Sequence, residues 1–117
     1  MIIKFEKTEL PNPITIQAKE IGSSSDEKIT SVAETSDGGL IAGGYFYNSI
    51  DLGNGVSLTN KVGSDGMIIK YNSSGECEWA KVIGGSSSGD QINSVAGTSD
   101  GGYIAGGYFD SSSIEME

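Results

Sequence analysis

Aromatic and short polar side chains of the kind that recognise sugars recur along this chain. Tyrosine offers a flat apolar ring and a hydroxyl, while Asp and Asn supply hydrogen-bonding groups, so together they match the mixed surface of a polyol. The residues with this character are Tyr45, Tyr47, Tyr108, Asp26, Asp90 and Asn48. We interpret them as ligand-binding residues with carbohydrate as the favoured ligand. The alternative is that the tyrosines hydrogen-bond between sheets and the polar loops are simply solvated.

Nothing in the sequence predicts a catalytic residue, a metal site or a cofactor. The chain has no His, which is the commonest general base and a common metal ligand, and Cys77 is its single cysteine. The segments Asp37-Gly38-Gly39 and Asp100-Gly101-Gly102 lack the further oxygen ligands of a calcium loop. They are predicted to be structural hairpin turns. An enzyme is therefore the third choice among the function classes, and no catalytic activity is predicted.

The charge balance excludes another class of partner. Sixteen acidic residues stand against seven Lys, which gives a net charge of −9, and binding to nucleic acid needs clustered cations instead. No apolar run has the length of a membrane helix, so no membrane partner is predicted. Residues 1–5 also lack the long apolar region and the cleavage site of a signal peptide.

The chain contains an internal repeat. Residues 29–46 recur as residues 92–109, with 15 of 18 positions identical. Residues 18–22 match residues 80–84, and residues 1–5 match residues 67–71. Each matched piece has the β-prone composition and the flanking turn signals of a short strand. The sequence therefore predicts a repeated unit of four strands, which we letter A to D in order from residue 29.

These letters divide the chain unevenly. Residues 1–22 supply the C and D strands of one unit, residues 23–84 a complete unit, and residues 85–117 the A and B strands of the divided unit. The predicted fold is all-β, with four-stranded antiparallel sheets of the β-propeller blade type, two blades per chain and one of them split between the termini.

A split blade predicts self-association. A two-stranded half blade is marginal in water and leaves an unpaired edge, and the faces of both blades are expected to lack neighbours. If the C-terminal half of one copy pairs with the N-terminal half of the next, a ring closes with an even number of blades. A trimer gives six blades and a tetramer eight, and we favour the tetramer.

Trp79 has two interpretations. Simple alternation places it on one strand face with Cys77 and Lys81, where it could stack on a sugar or a base. The favoured alternative is a structural anchor packed between neighbouring blades. Alternation likewise places Tyr45 and Tyr47 on one face and assigns Phe46 and Phe109 to the core.

Several motifs resemble the bacterial β-propeller repeats known as the SBBP type. They are the segments 51–59 and 63–71, the glycine turn and tryptophan Gly75…Trp79, and the pair Gly84-Gly85. Gly75…Trp79 is also similar to the tryptophan-docking element of quinoprotein propellers, although Gln17 stands at this position in the other copy. The resemblance implies a hairpin inserted between strands B and C, an exported location and a non-catalytic binding or scaffolding role.

The leading hypothesis is thus a non-catalytic propeller ring that binds glycans or other surface ligands multivalently. The alternative is a purely structural or protein-interaction repeat, either a fragment or an engineered chain, without a small-molecule ligand.

Overall fold

The computed structural model describes the backbone of residues 2–6, 14–19, 27–59, 63–85, 89–109 and 114–116, and the side chains of residues 27–59, 63–84 and 89–109. Within these residues the secondary structure consists of β-strands and turns, so the all-β prediction is confirmed. The strands are β1 (Ile2–Glu6), β2 (Ile14–Lys19), β3 (Glu27–Glu34), β4 (Leu40–Phe46), β5 (Ile50–Gly53), β6 (Val56–Leu58), β7 (Asp65–Tyr71), β8 (Cys77–Gly85), β9 (Gln91–Gly97), β10 (Tyr103–Tyr108) and β11 (Ile114–Met116). Among the described residues, no helix is long and apolar enough to cross a membrane.

The largest element is a five-stranded antiparallel sheet, the main sheet, in the order β11-β8-β7-β4-β3. Its strands β3, β4, β7 and β8 correspond to the predicted A, B, C and D strands and pair with one another in sequence order. The sequence did not predict β11, which pairs with the outer side of β8.

Short polar turns fix the registers of the two A–B hairpins. In the β3–β4 turn, the Thr35 N–H donates to the Gly39 carbonyl at 3.1 Å, the Gly39 N–H donates to Asp37 Oδ1 at 3.0 Å, and Gly38 has a φ of 83°. The β9–β10 turn repeats these interactions at Thr98, Asp100 and Gly102. Both segments therefore form the hairpin turns that the sequence predicted.

The two faces of the main sheet differ in what covers them. We call them the Ala42 face and the Ile41 face, because successive residues of a strand point to opposite sides. The Ala42 face packs with the β5–β6 hairpin in one apolar cluster of Leu40, Ala42, Phe46, Ile50, Leu52, Leu58, Met67, Ile69, Tyr71, Cys77 and Val82. At the hairpin tip, Asn54 Nδ2 donates to the Cys77 carbonyl at 2.9 Å. The hairpin therefore covers part of this face, while Val32, opposite Ala42, stays 48% exposed.

The Ile41 face receives strand β9. Ile41, Ile92 and Val95 form a second apolar cluster, with Ala33, Ile68, Trp79, Ile83 and Phe109 packed around it. Polar contacts fix the approach: the Val95 N–H donates to Ser31 Oγ at 3.2 Å, and the Thr30 hydroxyl donates to the Ile92 carbonyl. The β9–β10 hairpin thus lies on the main sheet as a second layer.

A β-bulge changes one sequence-based assignment. The β7–β8 register shifts between Lys70 and Tyr71, because Lys70 pairs with Trp79 and Tyr71 pairs with Cys77. Cys77 consequently belongs to the Ala42-face cluster, while Trp79 packs against the cluster on the Ile41 face. The prediction that both share one face is wrong because strict alternation does not survive a bulge.

The remaining two hairpins keep the register of their counterparts in the main sheet. In β1–β2, Ile3 pairs with Ala18 and Lys4 with Gln17, and the register then shifts between Lys4 and Phe5, as it does between Lys70 and Tyr71. The β9–β10 hairpin also shifts at the position that corresponds to the shift in β3–β4. Among the described strands, β1–β2 and β9–β10 form separate two-stranded sheets.

Candidate functional site

The end of the main sheet holds a buried lysine with a complete set of acceptors. Lys70 is 2% exposed, and its Nζ lies 3.1 Å from Asp37 Oδ2, 2.8 Å from Glu78 Oε1 and 2.8 Å from the Tyr71 carbonyl. Burial opposes the charge of Lys70, but the hydrogen bonds to Glu78 and Asp37 outweigh it and raise the pKa of Lys70. Lys70 therefore joins strand β7 to the β3–β4 turn as a cation.

The carboxylate of Asp37 is held ready for this cation by its own turn. The Thr35 hydroxyl, the Gly39 N–H and the Lys70 ammonium all donate to Asp37 and hold its pKa far below the ordinary value of 3.8. The Thr35 hydroxyl is the largest of these causes. The turn and the lysine thus stabilise the same ionised group.

Asp100 repeats this arrangement in the second hairpin, but without the lysine. The Thr98 hydroxyl and the Gly102 N–H, at 3.1 Å, donate to its carboxylate and lower its pKa. The part of the chain that the structure describes places no cation in an ion pair with Asp100. The acceptor geometry of Asp37 is therefore present at Asp100, without an ammonium partner among the described side chains.

Strands β4 and β10 have nearly the same sequence but opposite environments. β4 lies between β3 and β7, and six of its seven residues are buried. β10 pairs with β9 alone among the described strands, and all six of its residues are exposed. Ile41 is 1% exposed, and Ile104, at the same repeat position, is 62% exposed. On the side of β10 that corresponds to the β7 side of β4, no described strand pairs with it.

A groove runs along this edge, between β10 and the main sheet. Its volume is about 330 Å³, and Ile68, Trp79 and Ile83 line one side while Tyr103 and Ala105 line the other. The rings of Trp79 and Tyr103 are 5.8 Å apart between centroids and tilted by 59°. Trp79 thus contacts the second layer, which favours the structural anchor over the stacking platform. We call this cavity the edge groove.

The residues predicted to bind a ligand differ in position and in exposure. Tyr45 and Tyr47 meet edge to face with centroids 6.1 Å apart, and Tyr47 and Asn48 are exposed at the end of β4. Tyr108 is 55% exposed at the end of β10. The structure therefore brings Tyr45 and Tyr47 together on one face, as alternation predicted, beside Asn48.

Of the two aspartates in the predicted set, the structure describes Asp90, and Asp90 does not lie on an open surface. Asp90 is 0% exposed, and its backbone bonds to Ser64, whose carbonyl accepts from the Asp90 N–H at 3.1 Å. The sequence placed Asp90 in an open, serine-rich loop, and burial against Ser64 contradicts that placement. Asp26 lies outside the described residues.

A metal centre finds no support among the described residues. The described residues contain no group of three His, Cys, Asp or Glu side chains that could hold a metal ion. In the segment 51–55, Asp51 Oδ1 instead accepts from the Gly53 N–H at 2.9 Å, as an ordinary turn does.

Comparisons of the chain with family models, curated proteins and solved structures found no match. The resemblance to bacterial propeller repeats therefore stays a prediction, and the function has to be argued from the geometry of this chain.

Sequence reasoning missed the role of Lys70. The signal was present, because a lysine ends the otherwise apolar segments Met1-Ile2-Ile3-Lys4 and Met67-Ile68-Ile69-Lys70 at the same repeat position. A lysine in a strand that is buried on both faces needs a carboxylate partner. In the repeated sequence, the aspartates of the hairpin turns, Asp37 and Asp100, were the candidates for this carboxylate partner.

Proposed function

We propose that the chain is a non-catalytic module that assembles with copies of itself, the β1–β2 hairpin of one copy completing the β9–β10 hairpin of another. The observation that carries this proposal is the contrast between β4 and β10, since one sequence is buried in the first repeat and exposed along its whole length in the second. A long apolar edge strand in water is a template for pairing with another chain.

The register of the hairpins supports this choice of occupant. Ala42 of β4 lies opposite Ile69 of β7. The same register places Ala105 of one copy opposite Ile3 of the second copy, because β1–β2 repeats the pairing and the bulge of β7–β8. The incoming hairpin would then extend the second layer over the edge groove and cover Ile68 and Trp79.

Charge supports the same arrangement. Lys4 holds the position in β1 that Lys70 holds in β7, so pairing in this register brings its ammonium group to Asp100. Asp100 already has the turn geometry that Asp37 uses to accept Lys70. Opposite charges at the two partners favour this register over a slipped one.

Repetition of this contact would give a closed assembly. Each completed four-stranded sheet corresponds to a propeller blade, and each copy contributes two blades in total. A head-to-tail contact closes into a ring when its rotation allows, with three copies for six blades or four for eight. We favour four.

Glycan binding is a second candidate function of the same assembly. It is favoured by the pair Tyr45 and Tyr47, whose rings meet edge to face beside the exposed Asn48. One such surface per copy would occur several times around a ring, and weak sites that act together gain avidity. The alternative without a small-molecule ligand requires only the assembly contact.

Hydrogen exchange tests the assembly directly. In the full chain, the amides of residues 103–108 should exchange as slowly as those of residues 40–46, because both strands are then paired on two sides. In a variant lacking residues 1–6, only residues 40–46 should stay protected. Fast exchange of residues 103–108 in the full chain, or protection that survives removal of β1, would contradict the proposal.

A further inference from the structure

The packing of β9 on the main sheet shows how the second repeat packs on the first. The side chains of Ile92 and Val95 lie over Gly43, where a Cβ atom would approach Ile92 Cγ2 and Val95 Cγ1 to 2.7 Å. Val95 is 6% exposed, and its N–H donates to Ser31 Oγ at 3.2 Å. A glycine on the receiving strand therefore leaves space for the apolar side chains of the arriving strand.

The second repeat carries the same receiving surface, but it is uncovered. Ser94, Ile104 and Gly106 correspond to Ser31, Ile41 and Gly43 of the first repeat, and we call these three residues the Gly106 seat. They line a cavity of about 270 Å³, and no atom lies within 4 Å of a Cβ built on Gly106. The seat is thus present and vacant in the single chain.

The first repeat carries the matching arriving surface. Val32 holds the repeat position of Val95, but it is 48% exposed where Val95 is 6% exposed. It lies opposite Ala42 on the side of β3 that faces away from β9. In the first repeat, the surface at Gly43 is thus covered by Val95. The Gly106 seat of the second repeat is open, and Val32, the counterpart of Val95, is exposed.

We propose that Val32 of one copy of this chain occupies the Gly106 seat of another copy. This inference rests on the proposed self-assembly and adds a face-to-face contact to the edge pairing of β10. In the assembled pair, Ser94 Oγ accepts from the Val32 N–H of the second copy, as Ser31 Oγ accepts from the Val95 N–H. The occupant is a second copy because the chain already makes this contact once with its own repeat.

The two glycines give a matched pair of variants. Gly106→Val should leave the unfolding midpoint of the separate subunit unchanged, because its Cβ points into open space. It should raise the dissociation constant of the assembly about tenfold to a hundredfold, because overpacking a closely packed contact costs a free energy of this size. Gly43→Val should instead lower the unfolding midpoint of the subunit, because the added side chain meets Ile92 and Val95.

Val32→Asp is an independent second variant. It should also weaken assembly at least about tenfold, because the contact would bury a carboxylate without a partner. Val95→Asp is the control and should destabilise the subunit itself. Sedimentation velocity over a concentration series measures assembly, and urea denaturation of dissociated subunits measures stability.

The outcomes separate this contact from the edge pairing. If the full chain assembles with a protected β10, but Gly106→Val and Val32→Asp assemble as well as the unchanged chain, the face contact is overturned while the proposed function stands. If the unchanged chain is a monomer, both are overturned.

Discussion

Lys70 Nζ lies 3.1 Å from Asp37 Oδ2 and ties strand β7 to the turn between β3 and β4. The corresponding acid of the second repeat, Asp100, keeps the same hydroxyl and backbone donors but has no lysine partner among the described residues. The described residues thus contain one complete ion pair, Lys70 with Asp37, and one corresponding carboxylate, Asp100, without a cation. The proposed assembly supplies this cation as Lys4 of a second copy.

Substitution of the two lysines should have different consequences. Lys4→Met should weaken assembly about tenfold to a hundredfold, because each interface loses a charged hydrogen bond, and it should leave the stability of the separate subunit unchanged. Lys70→Met should lower the unfolding midpoint of the subunit, because Asp37 and Glu78 both lose their partner. Sedimentation equilibrium and urea denaturation measure the two effects. If both variants lost the same subunit stability, Lys4 would interact within its own subunit and not with a second copy, which would contradict the proposal.

Acidification should weaken assembly through Asp100. The Thr98 hydroxyl and the Gly102 N–H already lower the pKa of Asp100 in the free subunit. In the proposed assembly, the ammonium group of Lys4 would lower this pKa further. A group with a depressed pKa contributes fully above its free-state pKa, and the contribution is lost as the pH falls through the lower value. The contribution should therefore persist at neutral pH and decline only below about pH 4.

Asp100→Asn is the control for this pH dependence, because its side-chain oxygen can still accept from the Gly102 N–H. Sedimentation velocity between about pH 2.5 and 7 should show a steeper loss of assembly for the unchanged chain than for Asp100→Asn. Parallel curves for the two proteins would show that Asp100 does not titrate with assembly.

Disulfide trapping tests the register and counts the copies. Directly opposed residues of an antiparallel pair are close enough for a disulfide, so Ile3→Cys and Ala105→Cys in one chain should crosslink neighbouring copies. Cys77→Ala removes the natural thiol. The longest species of the ladder on a denaturing gel should contain three or four copies. Ile2→Cys with Ala105→Cys is the slipped control, and more efficient crosslinking in this control would contradict the register.

Loss of the exposed tyrosine should separate the glycan-binding candidate from assembly. Tyr47→Ala should abolish saturable binding on a glycan array, because the ring supplies the apolar face for a sugar, while the assembled mass stays unchanged. Tyr103→Ala should instead act on assembly, since Tyr103 packs on Trp79 in the edge groove that the incoming hairpin covers. Absence of binding by the unchanged chain across a broad array would favour the purely structural alternative.

The strands were predictable from the sequence because their signals are local. Apolar runs and Asp-Gly-Gly turns specify β3, β4, β9 and β10, and the repeat transfers this assignment from one copy to the other. The core position of Phe46 follows from the same pattern. Phe46 is 0% exposed.

The details that failed depend on long-range packing. The bulge that separates Cys77 from Trp79 is a property of strand pairing and leaves no clear signal in a single strand. The burial of Asp90 depends on Ser64, which lies 26 residues away in sequence. The β5–β6 hairpin covers the Ala42 face because Leu52 and Leu58 fold back onto it, which hydrophobic periodicity does not specify.

The candidate site was only partly predictable. The repeat predicted that the two ends of the chain are complementary, but the open surface at Gly106 and the carboxylate geometry at Asp100 appear only when two repeats are compared in three dimensions. Equivalent residues of the two repeats differ in burial and in hydrogen-bond partners because the strands around them differ.

The molar mass of the full chain in dilute solution tests the central claim most directly. One copy has a mass of 12.1 kDa, so light scattering at micromolar concentration should give about 36 kDa for three copies or about 48 kDa for four. A stable, folded species of 12.1 kDa at that concentration would show that strand β10 remains without a partner and would contradict the account.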